Sequence, residues 1–266
     1  MYEATTIKTT GSGRKLNNLW KYAGIPVMLA GMIVWTGCGM QKKEERREVE
    51  LPAASIETLE VDAGEGDLTI KGDEKATTIR AVAVIKSTGG VKDETIVFTL
   101  KPDGKNAKLV SKFKSDIGLD NRTMDVTVTV PVKMNLDVED DSGDINISDI
   151  EGNISLDDDS GDIVLKKIQG KLTIEDDSGA IEISDSRGDA DIEDDSGDIA
   201  IRNHNGNLNI SDDSGDIRVT DVKGSVTVKD DSGDIGIRGV DGDVTILNDG
   251  SGRLNVEDVK GKYTSK

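Results

Sequence analysis

Six times along the chain, adjacent aspartates are followed by a serine, a glycine and the start of an aliphatic run. "DDSGDI" begins at Asp140, Asp158, Asp194, Asp212 and Asp230, and "DDSGAI" at Asp176, so the starts are 18 residues apart. Residues of these types support three kinds of chemistry. Paired carboxylates cleave glycosidic bonds, a serine beside a base is a nucleophile, and clustered carboxylate oxygens hold a hard cation such as calcium.

The first two readings lack partners. Ser142, Ser160, Ser178, Ser196, Ser214 and Ser232 would each need a base, and the only histidine is His204. It occupies a corner column held elsewhere by Ile150, Ile168, Val222 and Val240, as a tolerated substitution would. The serines are expected to bond the turn backbone instead. Carbohydrate-cleaving solenoids display aromatic platforms in a cleft, whereas after residue 38 the aromatics are Phe98, Phe113 and Tyr263, none of them in the regular coils. A near-perfect repeat offers no unique cleft either, so no catalytic residue is assigned and the chain is read as non-enzymatic.

The aspartates remain. Stacked coils would bring equivalent carboxylates to about 4.8 Å, where neighbours repel by roughly 1 kcal/mol even in water. One offset is turn capping beside glycine, with water and salt screening the outward groups. The other is calcium, held by Asp140, Asp141 and Asp144, by Asp158, Asp159 and Asp162, by Asp194, Asp195 and Asp198, by Asp212, Asp213 and Asp216, and by Asp230, Asp231 and Asp234. Asp176 and Asp177 continue the first two columns in the near copy, where Ala180 breaks the third. The "GGxGxD" signature of calcium-binding toxin repeats is absent.

The elements that position these residues follow from the same frame. Ile145, Ile163, Ile181, Ile199, Ile217 and Ile235 align in one column, with Ile147, Leu165, Ile183, Ile201, Val219 and Ile237 two places on. A second pair of columns starts nine residues later at Ile154 and Leu156 and recurs in every coil. Each coil therefore carries two short strands of period-two apolar spacing. Glycine precedes both, at Gly143 and Gly152 and their equivalents, and is expected to supply positive φ at two bends. Such a unit cannot bury its apolar face alone; stacking makes a continuous core. The expected fold is all-β, a β-solenoid of 18-residue coils over 132–266. Residues 53–131 alternate less regularly and are expected to form an irregular β cap over the N-terminal edge. Within them "AGEGDLTIKG" reads as a degenerate coil with Glu65 at the serine position. At the other end "NDGSGRLNVEDVKGKY" reads as a terminal coil with one inserted residue and Arg253 in place of the aspartate.

The N-terminus has another character. Lys8, Arg14, Lys15 and Lys21 lead into "YAGIPVMLAGMIVW", too short to span a bilayer comfortably but suited to a secretion signal, and "TGC" follows, ending at the sole cysteine, Cys38. "WTGC" resembles the lipobox of bacterial lipoproteins, which implies a signal peptide over 1–37, lipidation at Cys38 and a membrane anchor. Gly39 after the cysteine favours the outer membrane by the same resemblance. Residues 38–52 read as a charged tether. Removal of 1–37, with four basic and one acidic residue, takes the formal charge from −19 to −22, a surface that repels nucleic acid.

The "SGDI" motifs followed by "G-x-I-x-I" resemble the bacterial putative-adhesin family of β-strand-repeat proteins over roughly 53–262. The resemblance implies an exported envelope protein and no reaction. The expected function is a lipid-anchored, non-catalytic interaction scaffold of the cell envelope, an adhesin in one version, with an unidentified protein or surface ligand. The alternative is a structural or regulatory envelope protein that self-associates through its ends.

Overall fold

The computed structural model describes residues 43–88, 93–114 and 122–266; the expected signal peptide and Cys38 lie outside them. Ile145, Ile147, Ile154 and Leu156, with their equivalents one coil on, are all at most 2% exposed and belong to one core cluster. That burial follows from the alternation of the sequence. Each coil gives one strand to each of two eleven-stranded sheets. Ile145–Ile150, Ile163–Ile168, Ile181–Arg187, Ile199–Asn205, Ile217–Val222, Ile235–Val240 and Leu254–Val259 run parallel in the first sheet. Asn135–Ser142, Ile154–Asp158, Leu172–Asp176, Ala190–Asp194, Leu208–Asp212, Val226–Ser232, Val244–Ser251 and Tyr263–Ser265 do so in the second. Register is in steps of 18, so Ile163 lies beside Ile145 and Ile181 and packs isoleucine on isoleucine. The architecture is the expected all-β solenoid.

The next inward residue after Ile147 is Ile150, three positions on rather than two. The intervening Asp149 has φ 59°, and Lys167, Asp185, Asn203 and Asp221 at the same place have φ 55–58°. A left-handed residue shifts the alternation by one place, so that the residue after it, Ile150 or Ile168, turns inward while the one before it, Ser148 or Lys166, stays outside the core; aspartate and asparagine tolerate this best. The kink starts the second bend. Both glycine columns meet a demand besides positive φ. At the first bend Gly161 has φ 141° and Gly179 has φ 142°, and at the second Gly170 and Gly188 have φ 158° and 125°. Gly206 at the second bend has no such φ, yet a side chain there would lie 2.5 Å from the carbonyl carbon of Gly188 in the preceding coil, as one at Gly161 would lie 2.6 Å from that of Gly143. Close stacking of backbones selects glycine at both bends.

The N-terminal region is more integral than a separate cap. Thr58–Glu65 pairs in parallel with Asn135–Ser142, placing Glu65 opposite Ser142 and Ala63 opposite Asp140, and Leu68–Asp73 pairs with Ile145–Ile150. The degenerate coil is therefore a true coil in frame with the repeat. Beyond it Arg122–Pro131 and Asn106–Phe113 extend the two sheets in parallel. Antiparallel strands then close them: Thr78–Ser87 and Lys43–Pro52 on the first, Ile96–Asp103 on the second. The tether expected over 38–52 is thus corrected from Lys43 onward. Lys43–Pro52 is a ten-residue strand, because Leu51 alternates into the core while its charged neighbours face out. Charged side chains and a proline on an outer strand also discourage further strand addition.

At the C-terminal end the register slips between Val228 and Lys229, opposite Ile246 and Asn248. The inserted residue, expected within the stretch that begins at Asn248, is Leu247 just before it, and it is 43% exposed.

Candidate functional site

The conserved geometry of each coil is its first bend, built by "DDSGDI". The preceding strand alternates inward at Ile154, Leu156 and then Asp158, so the first aspartate is an interior residue. Asp140, Asp158, Asp176, Asp194, Asp212 and Asp230 are all at most 4% exposed. The second aspartates, Asp141, Asp159, Asp177, Asp195, Asp213 and Asp231, face solvent. The two ladders expected to lie side by side are on opposite sides of the backbone.

The inward carboxyls are unusual. Oδ1 of Asp176, Asp194, Asp212 and Asp230 accepts the backbone N–H of the serine two residues on, at 3.2, 3.1, 2.9 and 2.8 Å. Their Oδ2 atoms are buried without a partner, as are both oxygens of Asp140 and Asp158. Loss of hydration is the largest cause pushing Asp140 up to about 8, Asp158, Asp194 and Asp212 up to about 7, and Asp176 up to about 6; Asp230 is raised for the same reason. Neighbouring carboxylates push all six the same way.

The third aspartate couples coils. Oδ1 of Asp144 accepts the N–H of Asp162 at 3.3 Å, Asp162 that of Ala180 at 3.0 Å, Asp198 that of Asp216 at 3.0 Å and Asp216 that of Asp234 at 3.0 Å. Asp234 ends the series on Arg253, accepting its N–H at 2.8 Å and its guanidinium at 2.7 Å, which lowers the carboxyl below its ordinary value. Serine behaves as expected: Oγ of Ser178, Ser196 and Ser214 donates to the carbonyl of Asp159, Asp177 and Asp195 in the preceding coil, at 3.3, 3.2 and 3.4 Å.

A second stitched column, not singled out from the sequence, runs along the other bend. Asn135 accepts from the N–H of Asn153, Asn153 from Lys171, Asp189 from Asn207, Asn207 from Ser225, Ser225 from Asp243, and Asp243 from Lys262, at 2.7–3.1 Å. Its signal was present: asparagine, aspartate or serine follows most second-bend glycines.

The residues expected to hold calcium do not converge. The first column points into the core, the second into solvent and the third at the next coil, and among the described residues no group of three acidic, histidine or cysteine side chains surrounds a point a metal could occupy. His204 is 1% exposed, and its Nδ1 lies 2.7 Å from Ser186 Oγ in the adjacent coil. Nε2 has no partner, and burial lowers the affinity of the ring for a proton. No serine of the "DDSG" column is bonded to it. A surface depression of about 620 Å³ over the second bend is lined by Lys171, Asp189, Asn207 and Ser225 and brings no such base to a nucleophile.

No curated protein is matched. Among solved structures, a putative adhesin from Bacteroides fragilis NCTC 9343 is 14% identical, with a TM-score of 0.42 over 83% of this chain and 96% of that one. A putative lipid binding protein from Parabacteroides distasonis ATCC 8503 is 16% identical, with a TM-score of 0.41 over 84% and 96%. A putative cell adhesion protein from Clostridium sporogenes ATCC 15579 is 13% identical, with a TM-score of 0.31 over 85% and 99%. The Toastrack DUF4097 family profile matches residues 28–184 and again 88–257, most of the chain, and the two overlapping matches reflect the internal repeat. The chain belongs to the Toastrack DUF4097 family.

Proposed function

We propose that this chain is a lipid-anchored, non-catalytic scaffold of the cell envelope that presents a rigid solenoid for binding, as an adhesin does. The observation that carries this reading is the engagement of the repeat's reactive residues: serine hydroxyls and third aspartates bind backbone between coils, and the only histidine is buried. What remains for recognition is the outer surface. On the second sheet the exposed Glu139, Asp157, Glu175 and Glu193 follow one another in register on successive strands. Like charges directly opposite repel, so a partner carrying positive charge gains by docking there, and binding weakens as salt rises. The apolar run ending at Cys38 supports the anchor and the envelope location, with the outer membrane favoured.

Cys38→Ser tests the anchor. The variant should move from the membrane to the soluble fraction and lose its acyl groups by mass spectrometry, and an unlipidated natural protein would refute it. Turnover of polysaccharide by the purified chain would overturn the non-catalytic reading.

A second reading, self-assembly through the solenoid ends, is favoured by the last coil. Leu254, Val256 and Val259 pack against the core but are only partly buried, and Tyr263 is 45% exposed. Sedimentation separates the readings, since end-to-end assembly grows with concentration and a scaffold holds a constant size.

A further inference from the structure

The buried aspartate column has no part in the binding surface and needs an explanation of its own. Backbone register stacks Asp140 on Asp158, Asp158 on Asp176, Asp176 on Asp194, Asp194 on Asp212 and Asp212 on Asp230. Six carboxyls therefore succeed one another at the strand spacing of about 4.8 Å. Ala63 ends the series at one side and the half-buried Asp249 at the other.

The charged groups near enough to act on the column are almost all acidic. Around Asp140 they are Asp141, Asp158 and Asp159, with Lys112 at that end, itself bound to Asp62 and Asp141. Asp157, Asp159 and Asp176 act on Asp158; Asp162 and Asp177 on Asp176; Asp176, Asp195 and Asp212 on Asp194. Asp198, Asp213 and Asp230 act on Asp212, and Asp216, Asp231 and Asp249 on Asp230, the second aspartates doing so from the solvent side of the backbone. Among the described residues no cation acts on the other five. Six charges in this position would be desolvated, mutually repelling and unpaired, a state that buried groups escape by binding a proton. Each coil also leaves at least one buried oxygen without a donor, and a carboxylic acid in the neighbouring coil can supply that donor.

We propose that the inner aspartate column is a proton-binding ladder, in which the carboxylic acid of one coil donates its O–H to the free carboxyl oxygen of the next. The protons come from solvent on folding and return to it on unfolding, and no other reactant is involved. The column then carries fewer charges at neutral pH than the formal −19 assumes. Because the folded-state affinities lie above the ordinary value of 3.8, the folded chain binds more protons than the unfolded one between about pH 4 and 8. Stability is full below that window and falls as pH rises through it.

Infrared spectroscopy of the full chain tests the ladder. The C=O stretch of protonated carboxylic acid should be present near neutral pH, shift in heavy water and fade reversibly as pH is raised past 8. In Asp158→Asn/Asp194→Asn, where neutral side chains of the same shape replace two rungs, the band should weaken and the melting temperature should depend less on pH. Absence of the band in the natural chain at neutral pH overturns the proposal, whether or not the variant folds. So does a stoichiometric metal ion in elemental analysis whose removal lowers the melting temperature, since a metal would then occupy the place given to protons.

Discussion

Glycine substitutions separate the two demands that coil stacking makes on the backbone. At Gly161 a Cβ would lie 2.6 Å from the carbonyl carbon of Gly143 and nearer still to its oxygen, at a φ of 141°. The atoms in the way are backbone, so Gly161→Ala must spread two coils. The bonds at stake there are Gly143 N–H to Ser160 and Ile145 N–H to Asp162, at 3.0 and 2.9 Å. Losing them costs about 1 kcal/mol each, and a non-glycine residue at positive φ costs about 1–2 kcal/mol. Gly161→Ala should therefore destabilise by roughly 3–4 kcal/mol. Gly236→Ala is the control: it sits in a strand with ordinary φ and meets nothing nearer than the Ile217 carbonyl oxygen at 3.9 Å. It should stabilise by about 0.5–1 kcal/mol through the unfolded chain. Gly104→Ala, with φ 62° and open space around it, isolates the conformational cost at about 1 kcal/mol. Urea unfolding of the four proteins measures all of this. Equal midpoints for the Gly161 and Gly236 variants would refute close stacking as the reason for the glycine columns.

Other substitutions probe the stitching and the core. Ala180→Asp supplies the missing acceptor for the Asp198 N–H in the third-aspartate column and should stabilise by about 1 kcal/mol in thermal unfolding. Lys167→Asn puts a residue tolerant of positive φ where lysine has 56° and should gain about 0.5 kcal/mol by the same measurement. Ser186→Ala orphans the buried His204 ring and should cost about 1–3 kcal/mol in urea, whereas Ser186→Ile/His204→Val restores the aliphatic column and should recover that loss.

The aliphatic columns made both strands of each coil readable from sequence, because identical residues at 18-residue spacing can share a core only by stacking. The degenerate coil "AGEGDLTIKG" at 63–72 was readable for the same reason. Lys43–Pro52 was hidden by its charge: seven of its ten residues are Lys, Glu or Arg, and only tertiary pairing with Thr78–Ser87 makes it a strand. The inward aspartate was available from period-two alternation, since Asp158 follows Ile154 and Leu156 in phase. Chemistry argued the other way, as an unpaired carboxylate is costly to bury. Backbone geometry won because the strand continues to the bend, leaving the side chain no outward direction. The αL kink at Asp149 and its equivalents has a weak sequence signal, since Lys167 occupies it as well.

Exposure of the solenoid on the cell that makes it tests the central claim most directly. Intact cells are treated with protease, and the residues of the repeat are followed by antibody or peptide mass spectrometry. An anchored adhesive scaffold predicts loss of the solenoid from intact cells, with an internal marker protein left whole. A solenoid that survives until the envelope is broken would contradict it.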